Sequence, residues 1–296
     1  MFVIKPTVFT DPMLISTTAT EVYSAYSAGT TYDVGNRIIY NNKIYESLQA
    51  ANTGHTPDTS PTWWLFVQPD NKHAMFDQEV GTATIASTTL TVVIATGLID
   101  SFALINLNTD TVKITVRDGL GGSIIYEQTG GLSGAFVDDW FKYFFYDPLL
   151  KRTQLIFREI PPYATAHVTL EFTSTTSISI GAAVWGSITD LGLTQYGATA
   201  GIVDYSKKET NVFGNITFIE RAYSKRMNCS VMVPSNNLNR IQQLLYSLRA
   251  TPAVWIGTDD PTYEETLVVY GWYKDFSSDI SYPSYTLCNL SIEGLI

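Results

Sequence analysis

The sequence predicts a mainly β protein: a small three-stranded aromatic module, a β-sandwich of jelly-roll kind, and a C-terminal β-rich domain with one helix. Three observations carry this. Aromatic and β-branched residues, with 18 Tyr and 14 Phe among them, outnumber helix formers in most segments. Short apolar stretches alternating with period two recur between Gly, Asn, Asp and Pro turn signals. Helical spacing of apolar residues occurs convincingly in one place, near the C-terminus.

Taken in chain order, residues 1–20 read as an N-terminal arm, extended or an edge strand, with Pro6 and Pro12 and a Ser/Thr stretch at its end. Residues 21–68 form the aromatic module. Asp33-Val34-Gly35 is a turn, 37–40 a strand, and Asn41-Asn42 a two-residue hairpin turn of type I′, because Asn tolerates positive φ. The return strand is 43–48, and the segment 52–58 wraps back to Trp63-Trp64. So short a unit has a thin core, so its rings serve partly as core.

Residues 69–79 read as a linker, and 80–184 as the sandwich. Strands are expected at 83–85, 89–94, 102–107, 112–116, 124–126, 141–146, 154–157, 167–172 and 177–184. Gly121-Gly122 is a turn and not a phosphate loop, since no Lys-Ser/Thr follows. Residues 185–200 form a connector and 201–296 the C-terminal domain. There, strands are expected at 203–207, 216–221 and 225–233, the last with Met227, Cys229, Val231 and Val233 on one face. The helix spans 237–249, with Leu238, Ile241, Leu244, Leu245 and Leu248 on one side and Ser235 or Asn236 as its cap. Strands return at 253–256, 266–276 and 285–292. A helix laid on an antiparallel sheet covers a face that the sheet alone leaves wet.

Composition narrows the function. The chain has 296 residues, enough for two or three domains, and its 45% hydrophobic and 16% charged content excludes a disordered polymer. A formal charge of −10 with no basic stripe argues against a nucleic-acid partner. No apolar run is long enough to insert in a membrane, and the first residues lack a secretory leader pattern. The two cysteines, Cys229 and Cys288, both lie in strand-like segments and could pair, but free buried thiols are the favoured reading.

No arrangement reads as catalytic, metal-binding or cofactor-binding. His55, His73 and His167 share no ligand spacing. Asp138-Asp139 and Glu264-Glu265 are adjacent pairs, which on a strand point to opposite faces. Asp259-Asp260-Pro261 lacks the oxygen spacing of a calcium loop, and Asp259 reads as a turn cap. The candidate contact residues are aromatic: Tyr26, Tyr32, Tyr40, Tyr45, Trp63 and Trp64. Rings of this kind stack on the apolar face of a sugar or pack on another protein, or else form core. The two tryptophans are consecutive, so one faces out and one in, with Trp63 expected outward.

The run from Tyr26 to Trp64 resembles the small carbohydrate-binding modules of chitinases. The matching residues are Tyr32-Asp33-Val34-Gly35, Ile38 to Asn42, Tyr45, Asn52-Thr53-Gly54-His55-Thr56-Pro57 and Trp63-Trp64, about one-seventh of the chain. It departs from that pattern at Tyr26, where the family's first Trp stands, and at Asn42, where its hairpin Gly stands. The remainder resembles tail-tip or baseplate proteins of tailed bacteriophages. That likeness rests on Gly201 to Ser206, Asn211 to Asn215, Glu220-Arg221, Val269 to Tyr273, Asp275 to Ser277 and Ile292 to Leu295. The resemblance implies a structural virion protein of the phage tail, assembled in the host cytoplasm. It would form a symmetric assembly with copies of itself and other tail proteins, and touch host-surface glycan through the small module. A dedicated receptor-binding protein is the alternative, and a polysaccharide-degrading enzyme ranks third.

Overall fold

The computed structural model describes residues 1–132, 140, 144, 151–210, 213–260, 263–280 and 282–295. Strands take 51% of the chain and helix 9%, so the fold is mainly β with several sheets. Its spine is an eleven-stranded antiparallel sheet. Strands are numbered in chain order. The sheet runs β11 (Gln154–Phe157), β8 (Ser101–Asn108), β13 (Ile178–Asp190), β1 (Phe2–Pro6), β19 (Ala253–Ile256), β20 (Val268–Asp279), β21 (Tyr285–Gly294), β18 (Tyr223–Pro234) and β14 (Leu193–Thr194). β15 (Thr199–Asp204) also pairs with β18, and β6 (Thr84–Ala86) with β13.

A five-stranded sheet, β10 (Ile124–Gly131), β9 (Thr111–Asp118), β12 (Ala166–Thr173), β7 (Thr89–Ala95) and β2 (Leu14–Thr17), faces the β8–β13 end of the spine. Period-two alternation does the work. Leu90, Val92 and Ile94, Val112, Ile114 and Val116, and Val168, Leu170 and Phe172 all point into one core with Phe102, Leu104 and Trp185 of the spine.

Residues 1–20 are not a peripheral arm. β1 lies in the interior of the spine, paired on one side with β13 (Ile4 opposite Ile188) and on the other with β19 (Ile4 opposite Val254). Its alternation serves two cores: Val3 joins the apolar cluster under the helix, and Ile4 joins one on the opposite face. A five-residue stretch with both neighbours paired and Val3 and Ile4 buried explains why a leading segment becomes central. The expected linker is likewise packed in, since Ala74 and Met75 are buried and Met75 sits in the core between the two sheets. The expected connector is partly strand, because β13 continues to Asp190 so that its far end can pair with β1.

The helix α1 (Leu238–Ser247) lies on the C-terminal half of the spine through Ile241 and Leu245, with Leu248 just beyond it. Beneath it are Met227, Cys229, Val231 and Val233, the face that alternation predicts. Neither Ser235 nor Asn236 caps it. Residues Ser235–Asn237 form a 3-10 turn that leads in, no side chain makes a cap bond, and the Ser235 hydroxyl is buried without a partner. At the other end the Tyr273 hydroxyl donates to the Leu245 carbonyl at 2.9 Å, satisfying one of the last acceptors.

Two further expectations change. Residues Glu264–Leu267 form a helical turn, so the strand expected from 266 begins at Val268. The strand expected at 141–146 falls outside the described residues except for Phe144, which is helical. Asp138-Asp139 also fall outside them, as does Pro261.

A dislocation crosses β8 and β13. Ala103 and Ile105 face one side and Leu107 the other; Ala182 and Val184 face one side and Ile180 the other. Strict alternation would keep Ile105 with Leu107. Asn106 has φ 53, which turns the chain over at that point. Gly181 sits beside it, and a Cβ there would lie 2.7 Å from Asn106 Cβ, so glycine is required by space.

Both cysteines are reduced and buried. They lie on adjacent strands, Cys229 opposite Leu290 and Cys288 opposite Val231. Burial pushes the Cys229 thiol up to about 11 and raises Cys288 as well. Neither is expected to react with an aromatic disulfide reagent in mildly alkaline buffer while the chain is folded, and both should react after denaturation. Absorbance titration checks this.

Candidate functional site

The aromatic module is a three-stranded sheet of β3 (Arg37–Tyr40), β4 (Lys43–Ser47) and β5 (Trp64–Pro69). Asn41 and Asn42 both have positive φ, 48 and 59, as the two-residue turn requires. The loop from 52 to 58 is held by Trp64, whose Nε1 donates to the His55 carbonyl at 2.8 Å. Asn52 anchors its start, with main-chain bonds to Tyr32 and its amide donating to Ser47 Oγ at 3.0 Å.

The six candidate rings divide by burial. Tyr32, Tyr45 and Trp64 are buried and, with Ile38, form the module core; Tyr26, Tyr40 and Trp63 are packed against it and half-buried. The rings contact one another edge to face: Tyr32 and Trp64 at 5.2 Å, Tyr26 and Tyr40 at 5.6 Å, Tyr26 and Trp64 at 6.1 Å. With so few residues to bury, the rings themselves are the core. Desolvation raises the phenols of Tyr26 and Tyr45 above the usual range. The Tyr26 hydroxyl is buried beside Thr56 without a well-formed hydrogen bond.

Trp64 points inward and Trp63 lies at the surface. His55 stacks on the Trp63 ring, centroids 4.0 Å apart and planes 12° from parallel. The sequence treats His55 as an ordinary surface residue, and its stacking role is visible only in the folded loop. Phe66 is a second ring that sequence reasoning leaves out. It follows Trp64 by two residues, so the two share a face, but it stands at the module margin, 48% exposed, with Lys43 Nζ 5.7 Å from its centroid. The accessible aromatic surface is therefore Trp63 with His55, Phe66 and the outer part of Tyr40.

Trp64→Ala is expected to unfold this module selectively, at a cost of about 3–5 kcal/mol. Loss of the dispersed Tyr resonances in a proton NMR spectrum, with the spine's signals kept, checks it.

The titratable residues singled out in the sequence are dispersed. His73 Nδ1 pairs with Asp70 at 2.6 Å, and His167 Nδ1 lies 2.9 Å from the Thr165 carbonyl. Asp259 pairs with Arg158. Glu265 accepts from Thr153 N at 3.1 Å and from its hydroxyl. Among the described residues no three His, Cys, Asp or Glu side chains gather as a metal site. No helix there is long and apolar enough to cross a membrane.

A second surface lies far from the module in sequence. Among the described residues β16 (Lys207–Thr210) and β17 (Ile216–Ile219) pair only with each other, and every residue in both is exposed. Lys208 faces Phe218 and Thr210 faces Ile216, so Phe218 and Ile216 share one side of the ribbon. Phe218 is 74% exposed and Ile216 51%. The ribbon continues from β15, which forms an outer edge of the spine. Comparison with protein-family models and with curated proteins found no match.

Proposed function

We propose that this chain is a structural subunit of a bacteriophage tail tip or baseplate. It forms a symmetric assembly with copies of itself and with other tail proteins, and its role in this reading is structural rather than catalytic. In this reading the two facing sheets are a sandwich of jelly-roll kind, and the protein works in the virion after assembly in the host cytoplasm.

The observation that carries the reading is the exposed ribbon β16–β17. An isolated two-stranded hairpin is marginal in water, and one that shows Phe218 and Ile216 to solvent is poorer still. Such a ribbon next to an open strand edge is what an assembling subunit needs and what a monomer avoids. Charge points to a second copy as its partner. Residues 207–219, the ribbon itself, carry Lys207, Lys208 and Glu209, a balance of +1, which leaves −11 for the rest of a chain of net charge −10. A weakly basic ribbon thus meets an acidic body in the next copy.

Sedimentation velocity over a range of concentrations tests this. A closed oligomer of fixed stoichiometry is expected, and a monomer at the highest concentration would contradict it.

The half-buried Trp63 favours a second role, contact with host-surface glycan, in line with the module's likeness to chitinase-type binding modules. Many copies on one particle make weak single sites useful. Trp63→Ala is expected to leave the module folded and abolish retention on host-cell polysaccharide. Retention unchanged in the folded variant would assign the patch to protein contact.

A further inference from the structure

Beyond any role in assembly, a cavity of about 240 Å³ opens on the face of the spine opposite α1. It lies where the two halves of the spine and the base of the ribbon meet. Ile105, Val268 and Leu295 give it apolar walls, and Lys225 and Tyr270 are among the polar residues that line it, with Thr153 and Gln154. Its volume is below the roughly 300–1,000 Å³ of drug-sized pockets, so an occupant is small.

Lys225 is the unusual component. Its ammonium donates to the Glu265 main-chain carbonyl at 3.2 Å and, among the described residues, enters no ion pair. Three donors on that group leave two without a protein acceptor. Burial draws its pKa down, and the Glu265 carboxylate opposes this incompletely. An ammonium partly removed from water, near the Glu265 carboxylate but in no ion-pair contact with it, is a receptor for an anion. Tyr270 adds a neutral donor, because burial pushes its phenol up to about 12. The wall itself is shaped around the dislocation in β8: Asn106, in its left-handed conformation, donates Nδ2 to the Val80 carbonyl at 3.1 Å and closes one side.

We propose that this cavity binds a small carboxylic acid, its carboxylate on Lys225 Nζ and the Tyr270 hydroxyl and its short apolar stem against Ile105, Val268 and Leu295. Neither the tail assignment nor glycan contact enters the argument.

Calorimetric titration of the full chain with hexanoate, hexanamide and sulfate tests it. Saturable hexanoate binding is expected, with hexanamide weaker by roughly tenfold or more, because the amide lacks the charge that Lys225 meets. Sulfate, without an apolar stem, should be weaker than hexanoate. Lys225→Met keeps the stem of the side chain and removes the charge. It should bring hexanoate down to the level of hexanamide, while Lys274→Met, an exposed control, changes nothing. Absence of saturable hexanoate binding would overturn the proposal, and so would equal affinity for acid and amide in the unmodified protein. The acid–amide comparison needs no variant, so it stands even if Lys225→Met fails to fold.

Discussion

Ile4→Asp is expected to abolish folding of the whole chain, and Ile4→Ala to cost about 2–5 kcal/mol. Ile4 is fully buried in the cluster that also holds Ala103, Ile105, Val184, Val254, Ile256 and Tyr270. These come from strands on both sides of β1. A carboxylate at that position would have no partner, and an unpaired buried charge costs several kcal/mol or more, comparable with the whole stability of a domain. The main chain of β1 adds to this, since it bonds β13 and β19 together. Denaturant titration of Ile4→Ala should therefore show one transition, shifted as a unit when followed through near-ultraviolet and far-ultraviolet signals. Two separate transitions, only one of them shifted, would mean that the halves of the spine fold independently. Val8→Asp, a few residues later but 79% exposed, serves as the control and should change stability by no more than about 0.5 kcal/mol.

On the reading proposed above, Ile216→Asp combined with Phe218→Asp is expected to convert the assembled protein to a folded monomer, whose far-ultraviolet signal is unchanged and whose melting temperature no longer depends on protein concentration. Both side chains are exposed in the single chain, so the fold loses no burial. On the reading proposed above, they are buried against the next copy. Central apolar anchors of an interface typically cost about 2–4 kcal/mol each when removed, and two carboxylates placed against an acidic body add repulsion. Dissociation by several orders of magnitude in concentration follows, and sedimentation equilibrium reads it. Lys208→Glu, which reverses the charge facing Phe218, should weaken assembly less and do so mainly at low salt.

The sequence is informative where a residue's neighbours along the chain decide its environment. Alternation locates the strands that hold Leu90, Val92 and Ile94 or Met227, Cys229 and Val231, because one face of each is buried. The helical spacing from Leu238 to Leu248 is equally local. The Asn41-Asn42 turn follows from the tolerance of Asn for positive φ.

What long-range pairing decides is not legible. Nothing in Phe2-Val3-Ile4 distinguishes a central strand from an arm, since the partners that bury it begin at 186 and at 254. Asn106 and Gly181 look ordinary apart and act as one feature only when β8 and β13 lie side by side. In the module, residue type correctly identifies an aromatic cluster. Sequence separates the consecutive tryptophans, Trp63 outward and Trp64 inward, but not the core tyrosines from the surface ones, because that depends on how little else a short unit has to bury. Tyr32 and Tyr45 go inside for that reason, and His55 finds Trp63 only once the loop closes. The ribbon is missed as a surface because Ile216 and Phe218 alternate like any strand whose one face is covered.

On the proposed reading, copies of this chain assemble through β16–β17. An electron cryomicroscopy map of the assembled particle at side-chain detail tests it most directly. The account predicts a symmetric arrangement in which Ile216 and Phe218 of each copy are buried against the acidic surface of the next. A particle in which the ribbon projects into solvent, with neighbouring copies joined elsewhere, would contradict it.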